Sequence, residues 1–247
     1  MKVTAINSSP LMAKGNTAAI LTPFLEGMKE AGAEVELFYT KKLKIKPCQG
    51  CFNCWLKTPG VCSQRDDMDM LRPKLEEADV WVLATPLYVD GMTGPMKNLL
   101  DRIIPGIQPF MELRDGHIRH PGRGETKHRK VVLVSNCGFW EMDNFDSLLV
   151  HVKAICKQGP GEFAGALLRP HGPALKPMLE IGGLVEDVVE AAREAGRQLV
   201  RDGIMSPDTL STVSRELMPR DDYIQIANQS FQQQLDANKA KKKAPVS

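Results

Sequence analysis

Long apolar runs are missing from this chain. No stretch of its 247 residues approaches the ~20 consecutive apolar positions that a helix needs to cross a bilayer, so a helical membrane protein is not expected. An excess of one charge is missing too. Lys and Arg total 32 against 30 Asp and Glu, a formal net charge of +2. That balance is too weak to point to nucleic acid or an anionic membrane as partner. The one dense basic run, Lys239, Lys241, Lys242 and Lys243, lies in a terminal stretch that reads as a solvated, disordered end. No secretory leader is expected either, since Met1 to Ile6 turn directly into a strand-like run that is quickly polar. The expected location is cytoplasmic, where a reducing medium argues against structural disulfides among the six cysteines. Two phosphate-binding signatures also fail. No G-x-G-x-x-G opens a dinucleotide fold, and no G-x-x-x-x-G-K-[ST] forms a nucleotide-hydrolysing loop. There is no internal repeat.

What is present is ordinary globular material, 43% hydrophobic and 25% charged. Short β-branched runs alternate with longer segments of helical period. Val3–Ile6, Glu34–Tyr39, Val80–Ala84, Val131–Val134 and Glu162–Leu168 read as strands, two of them continuous apolar runs of the kind buried on both faces. Thr17–Ala31, Met68–Glu77, Met92–Ile104, Phe145–Lys157 and Leu184–Arg201 read as helices, with Pro23 counting against an unbroken first helix. Residues 1–205 form one α/β domain, carrying a cysteine-rich loop at 45–65 and a Gly-, Pro-, His- and Arg-rich excursion at 105–128. Residues 206–247 form an extension with one further helix, at 222–236, and a tail. Five strands alternating with helices imply a doubly wound parallel sheet, with its ligand beyond the carboxyl ends of the strands.

Three loops leave those ends, at 7–17, 85–92 and 135–142. The first, Asn7 to Thr17, offers an amide, hydroxyls and a glycine before entering a helix. Backbone N–H groups at a helix start favour a phosphate, and Ser8, Ser9, Asn16 and Thr17 add side-chain donors. Without a Walker lysine, the loop suits a non-catalytic monophosphate handle. Lys97 and Asp101 sit four apart on one helix and read as a local ion pair. His117, His120 and His128 fall in the basic excursion, which suits the phosphate of NADPH, an acidic carrier protein or plain solvent.

Cys48, Cys51, Cys54 and Cys62 form C-x2-C-x2-C-x7-C. Thiolates three apart converge from one tight turn and a fourth closes the site, which is chemically right for a 4Fe-4S cluster. Zinc, which prefers two separated C-x2-C knuckles, and free or redox-active thiols remain open as alternatives.

Asn7-Ser8-Ser9-Pro10 with Gly15-Asn16-Thr17 resembles the first loop of the NADPH-dependent FMN reductase family of flavodoxin-like proteins. Pro47 to Cys54, Ala78-Asp79 with Thr85-Pro86-Leu87-Tyr88, and Gly94-Pro95-Met96-Lys97 with Leu100-Asp101-Arg102 resemble the same family, and the cysteine spacing resembles its iron–sulfur flavoprotein branch. The resemblance implies a five-stranded parallel sheet in the order 2-1-3-4-5 with a C-terminal helical extension. It implies FMN, its phosphate held by Ser8, Ser9, Pro10, Gly15, Asn16 and Thr17. The isoalloxazine ring would lie along Pro86, Leu87, Tyr88, Val89, Asp90 and Gly91, with Asn136, Cys137 and Gly138 as a third side. It implies NAD(P)H as co-substrate, a small-molecule or protein acceptor, and a homodimer or homotetramer. In such a site the flavin carries the redox chemistry, so no protein group need act as general base. The leading reading is an FMN-dependent oxidoreductase that reduces a flavin, quinone or similar acceptor. The second is an electron carrier relaying electrons between a ferredoxin-like donor and FMN through a 4Fe-4S cluster held by the four cysteines. The third is a zinc-stapled binding module.

Overall fold

The computed structural model describes residues 1–124 and 127–243. They form two compact units, Met1–Arg215 and a second beginning at Glu216. In chain order the elements are β1 (Lys2–Asn7), α1 (Asn16–Glu30), β2 (Glu34–Tyr39), α2 (Asn53–Leu56), α3 (Met68–Glu77), β3 (Val80–Pro86), α4 (Gly94–Asp101), β4 (Glu112–Arg114), β5 (His117–Arg119), β6 (Arg129–Asn136), α5 (Asp146–Gln158), β7 (Gly161–Arg169), α6 (Leu175–Glu180), α7 (Glu186–Arg201), α8 (Pro207–Ser214) and α9 (Arg220–Lys243).

The main sheet is wholly parallel, in the order β2-β1-β3-β6-β7. Counting its own five strands, this is the expected 2-1-3-4-5. β2 has the expected bounds, and the other four strands extend a residue or two beyond their expected runs, because hydrogen bonding in the ladder continues past the residues that must be buried. β3 is buried along its whole length, as a central strand covered on both faces requires. On one face α3, α4 and α5 contribute Leu71, Leu75, Met96, Leu99, Leu148 and Val152 to a core with Ile6, Leu83 and Leu133. On the other lie α1, α6, α7 and α8.

α1 continues through Pro23 without a break, despite the lost backbone donor. Tertiary packing outweighs the local penalty: Phe24 is fully buried and α1 packs along α7. The two helices meet at glycines. A Cβ on Gly27 would stand 1.9 Å from the Arg193 carbonyl oxygen, and one on Gly196 2.1 Å from that of Phe24. Only hydrogen at both positions permits so close an approach.

The short helices α2 and α6 were not expected from the sequence, and four further features depart from it. α4 is shorter than 92–104, and a 3-10 turn at Ile104–Gly106 follows. The excursion contains an antiparallel hairpin, β4 with β5, in which Leu113 faces Ile118. Residues 207–214 are helical, closed by the Ser206 hydroxyl accepting from the Thr209 amide. The polar end is helical from 220 to 243 rather than over 222–236 alone, and residues 244–247 of the expected tail lie outside the described residues. Ala, Lys, Gln and Leu are strong helix formers, and no Gly or Pro interrupts that span. The side chains of Lys241, Lys242 and Lys243 lie outside the described residues. Among the described residues no helix is long and apolar enough to cross a membrane.

Candidate functional site

β1, β3 and β6 all end at the same edge of the sheet, and β1 is where the strand order reverses between β2 and β3. Loops leaving such a point diverge and leave a crevice. Here they are tied together beneath it. The Ser8 amide and hydroxyl both donate to the Ala84 carbonyl, at 2.8 and 3.2 Å. The Leu87 amide donates to the Asn136 carbonyl at 2.8 Å. The Thr17 hydroxyl donates to the Asn136 side-chain oxygen at 2.6 Å. Thr17 and Asn136, assigned to opposite ends of a ligand by sequence, therefore brace one another across the site.

The loop 7–17 has the properties of an anion cradle. α1 starts at Asn16 with Gly15 as its N-cap, and no side chain caps its first turn. The leading amides of a helix have no partner within it. Ser8, Ser9, Gly15 and Thr17 are buried, while Pro10 is exposed. Gly15 has an extended backbone that any residue can adopt (φ −76°, ψ 162°). Its requirement is space, since a Cβ would lie 2.4 Å from the Ser9 hydroxyl oxygen. The buried Asn7 amide nitrogen has no hydrogen-bond partner among the described residues. A phosphate, rich in acceptors, fits this donor set.

The second loop is a tight turn closed by reciprocal Tyr88 and Gly91 backbone hydrogen bonds of 3.0 and 3.1 Å. Val89 and Asp90 both take left-handed conformations, with φ of 48° and 55°. For a β-branched residue this is a genuine outlier, found where the surroundings impose it. Tyr88, Val89 and Asp90 are consequently presented outward, while Pro86 stays buried. The Ser147 hydroxyl donates to the Asp90 carbonyl. Asp90, Asp143, Asn144, Asp146 and Ser147 line a cleft of about 410 Å³. Its carboxylates repel a phosphate, which leaves the loop 7–17 as the suitable seat.

The third loop is joined by a fourth, at 170–174, which the sequence reading missed. The His171 amide donates to the Phe139 carbonyl at 2.6 Å and the Gly172 amide to the Cys137 carbonyl at 2.9 Å. Trp140 and His171 stack with ring centroids 5.9 Å apart. Burial and the neighbouring Arg169 depress His171 to about 4, so it is neutral at physiological pH. Burial raises the Cys137 thiol, which makes it a packing residue rather than a nucleophile. The Pro170-His171-Gly172-Pro173 cluster after β7 was the available sequence signal, a dense run of turn residues at a strand end.

The four clustered cysteines also converge. Left-handed backbone at Gly50 and Phe52 (φ 62° and 51°) folds the chain into the one-turn helix α2, which carries Cys54. Gly60 (φ 84°) turns it back towards Cys62. Cys48 and Cys51 are exposed, Cys54 and Cys62 half-buried, and all four line one small cavity beside Ile104. The Asn53 amide and the Ser63 hydroxyl lower the Cys51 thiol, whereas burial, with Cys62 next, raises that of Cys54. Among the described residues, no three Cys, His, Asp or Glu side chains are grouped closely enough to hold a single ion. A four-iron cluster asks for something different, because its own atoms occupy the centre and keep the thiolates apart. The cavity they line measures about 20 Å³, room for about one water.

Lys97 and Asp101 form the expected ion pair, at 2.6 Å on the surface of α4. In the excursion, the His120 ring packs against Trp55 at 4.8 Å, joining that segment to the cysteine loop. Phe110, Met111, Leu113 and Ile118 are exposed beside it.

The family described as NADPH-dependent FMN reductase matches residues 1–151. An iron–sulfur flavoprotein of Archaeoglobus fulgidus is 45% identical over 102 residues, 41% of this chain and 48% of that protein. One from Methanosarcina thermophila is 32% identical over 104 residues, 42% of this chain and 53% of that protein. The chain thus spans about half the length of these curated relatives. Among solved structures, an FMN-dependent NADH-azoreductase from Bacillus anthracis in complex with FMN superposes with a TM-score of 0.61 at 15% identity, covering 81% of this chain and all of that one. A putative quinone reductase from Klebsiella pneumoniae gives 0.62 at 18% identity, covering 81% and 85%. At these identities the likeness is one of fold.

Proposed function

Because the chain belongs to the NADPH-dependent FMN reductase family, we propose that it is an FMN-dependent oxidoreductase whose four clustered cysteines hold a 4Fe-4S cluster, and that it passes electrons between FMN and an external partner. The observation that carries the FMN assignment is the loop 7–17, where an uncapped helix start, buried serines and a sterically required glycine meet. Ser8, Ser9, Pro10, Gly15, Asn16 and Thr17 hold the phosphate. Pro86, Leu87, Tyr88, Val89, Asp90 and Gly91 line the ring, with Asn136, Cys137 and Gly138 on its third side. Bound FMN supplies hydride acceptance at N5 and one- or two-electron release. The protein's part is to fix the phosphate, brace the ring loops through Thr17 and Asn136, and keep the outward turn at 88–90 accessible.

The cluster assignment draws support from four cysteines around one cavity, at a spacing suited to a cubane, and from relatives named iron–sulfur flavoproteins. Cys48, Cys51, Cys54 and Cys62 are its ligands. A second reading keeps FMN and omits the cluster, with NAD(P)H reducing the flavin directly and a quinone or flavin as acceptor. It draws support from the open turn at 88–90. The exposed pair of Leu113 and Ile118 supports a homo-oligomer, since a lone two-stranded hairpin is marginal in water.

Anaerobic purification followed by visible spectroscopy and iron, sulfide and zinc analysis tests these assignments. The expected protein is brown, with one FMN and one cluster per chain. Yellow protein without iron, bleached by NAD(P)H, selects the second reading. Absence of flavin together with failure to rebind FMN refutes both.

A further inference from the structure

Arg102, immediately after α4, is 2% exposed. Its guanidinium grips Asp66 with both arms, at 2.7 and 3.1 Å, and also donates to the Lys46 carbonyl at 2.6 Å. Asp66 in turn accepts from the Lys46 and Met68 amides at 3.0 and 3.1 Å. Lys46 precedes the cysteine segment and Asp66 follows it, so one buried cation fastens both ends of the loop. Asn98, on the same helix, adds a 2.8 Å bond to the Ile45 carbonyl, and Gln64 reaches the Pro47 carbonyl at 2.9 Å.

A purely structural staple needs nothing further, yet two observations remain. The Arg102 Nε is buried and has no hydrogen-bond partner among the described residues. The Cys62 side chain adjoins the same guanidinium. The positive group therefore stands beside Cys62, one of the four cysteines that line the cavity.

We propose that Arg102 is a positioning residue for the cysteine centre, closing the neck of the loop with Asp66 and setting a fixed positive charge against the anionic cluster at Cys62. This rests on the cluster assignment above. The bidentate fork supplies the geometry and the charge favours the more negative, reduced cluster; the two effects are separable. Lysine keeps the charge but not the fork, whereas paired neutralisation keeps the neck's shape and removes both charges without stranding a buried carboxylate.

The test uses the full chain carrying FMN and cluster, as wild type, Arg102→Lys, Asp66→Asn and the double variant Asp66→Asn/Arg102→Gln. The readouts are FMN content as a check of folding, iron release to a chelator, and the cluster midpoint potential. Arg102→Lys is expected to release iron at least severalfold faster with little change in potential. Asp66→Asn should raise the potential above wild type. The double variant should fall below Asp66→Asn by about a tenfold change in the reduction equilibrium, 59 mV for a one-electron couple. A merely structural role moves none of these potentials. Wild-type protein with FMN but neither iron nor sulfide overturns the cluster assignment and this proposal together. A wild-type cluster, with potentials unchanged across the variants and wild-type iron release from Arg102→Lys, overturns the role of Arg102 alone.

Discussion

Replacing Gly15 by alanine isolates space as the variable. The backbone at Gly15 is extended, so alanine meets no conformational penalty there. The added methyl, however, would lie 2.4 Å from the Ser9 hydroxyl, where 3.4 Å is an ordinary contact. The helix start is fixed by the body of α1, so Ser9 must give way, by about 1 Å or by rotating its hydroxyl out of the cradle. A hydrogen bond to a charged group is worth about 1.5–3 kcal/mol, and each 1.4 kcal/mol is tenfold in Kd. Gly15→Ala is therefore expected to weaken FMN binding by roughly 10- to 150-fold. Riboflavin, which lacks the phosphate, should bind both proteins alike. Fluorescence titration of flavin-free protein with each ligand provides the comparison. Equal FMN affinity, within about twofold, would refute the placement of the phosphate at this loop. Parallel losses for FMN and riboflavin would show that the substitution disturbs the ring loops instead.

Two further outcomes follow from the packing. Gly196→Ala gains about 1 kcal/mol of helix propensity but drives a methyl to 2.1 Å from the Phe24 carbonyl. Overpacking typically costs about 1–3 kcal/mol, and a backbone neighbour that cannot rotate away puts this site at the upper end. At about 2–4 °C per kcal/mol for a domain of this size, the melting temperature should fall by several degrees, whereas Gly94→Ala, with nothing within 4 Å, should leave it unchanged or raised; a stabilised Gly196→Ala contradicts the close approach of α1 and α7. His171 is neutral in the fold down to about pH 4, but in the unfolded chain it gains a proton below about 6.5. The unfolded state thus binds more protons in that window, and stability should decline as pH falls from about 6.5 towards 4. Urea denaturation across that range should show His171→Asn with a flatter profile, and an equal slope in both proteins contradicts the burial of a neutral ring.

The legible parts of the molecule were those whose physics is local. Val80–Ala84 and Val131–Val134 are apolar throughout because central strands are covered on both faces, and the run itself therefore names its position. The loop Asn7–Thr17 was legible as a strand-to-helix connection because its Asn, Ser, Pro and Gly residues separate a β-branched run from a segment of helical period. The hairpin at 112–119 was not legible: its strands are three residues each, too short to show a period. α8 was hidden for a similar reason, since Pro207-Asp208-Thr209 reads as a turn until the Ser206 cap is seen. The continuation of α1 through Pro23 was invisible because the energy that overrides proline comes from α7, far along the chain.

By itself, then, the amino-acid sequence marked the strands of a parallel sheet, the donor-rich loop after the first strand and the spacing of the four cysteines, all properties of neighbours in the chain, while the order of the sheet came with the family resemblance. Only the tertiary structure decided that Thr17 reaches Asn136, that the turn after β7 completes the third loop, and that Arg102 fastens the cysteine segment through Asp66. Each of these joins side chains brought together by the crossovers of the sheet. Their partners are fixed by the shape of the packed core, which no local pattern of residues records.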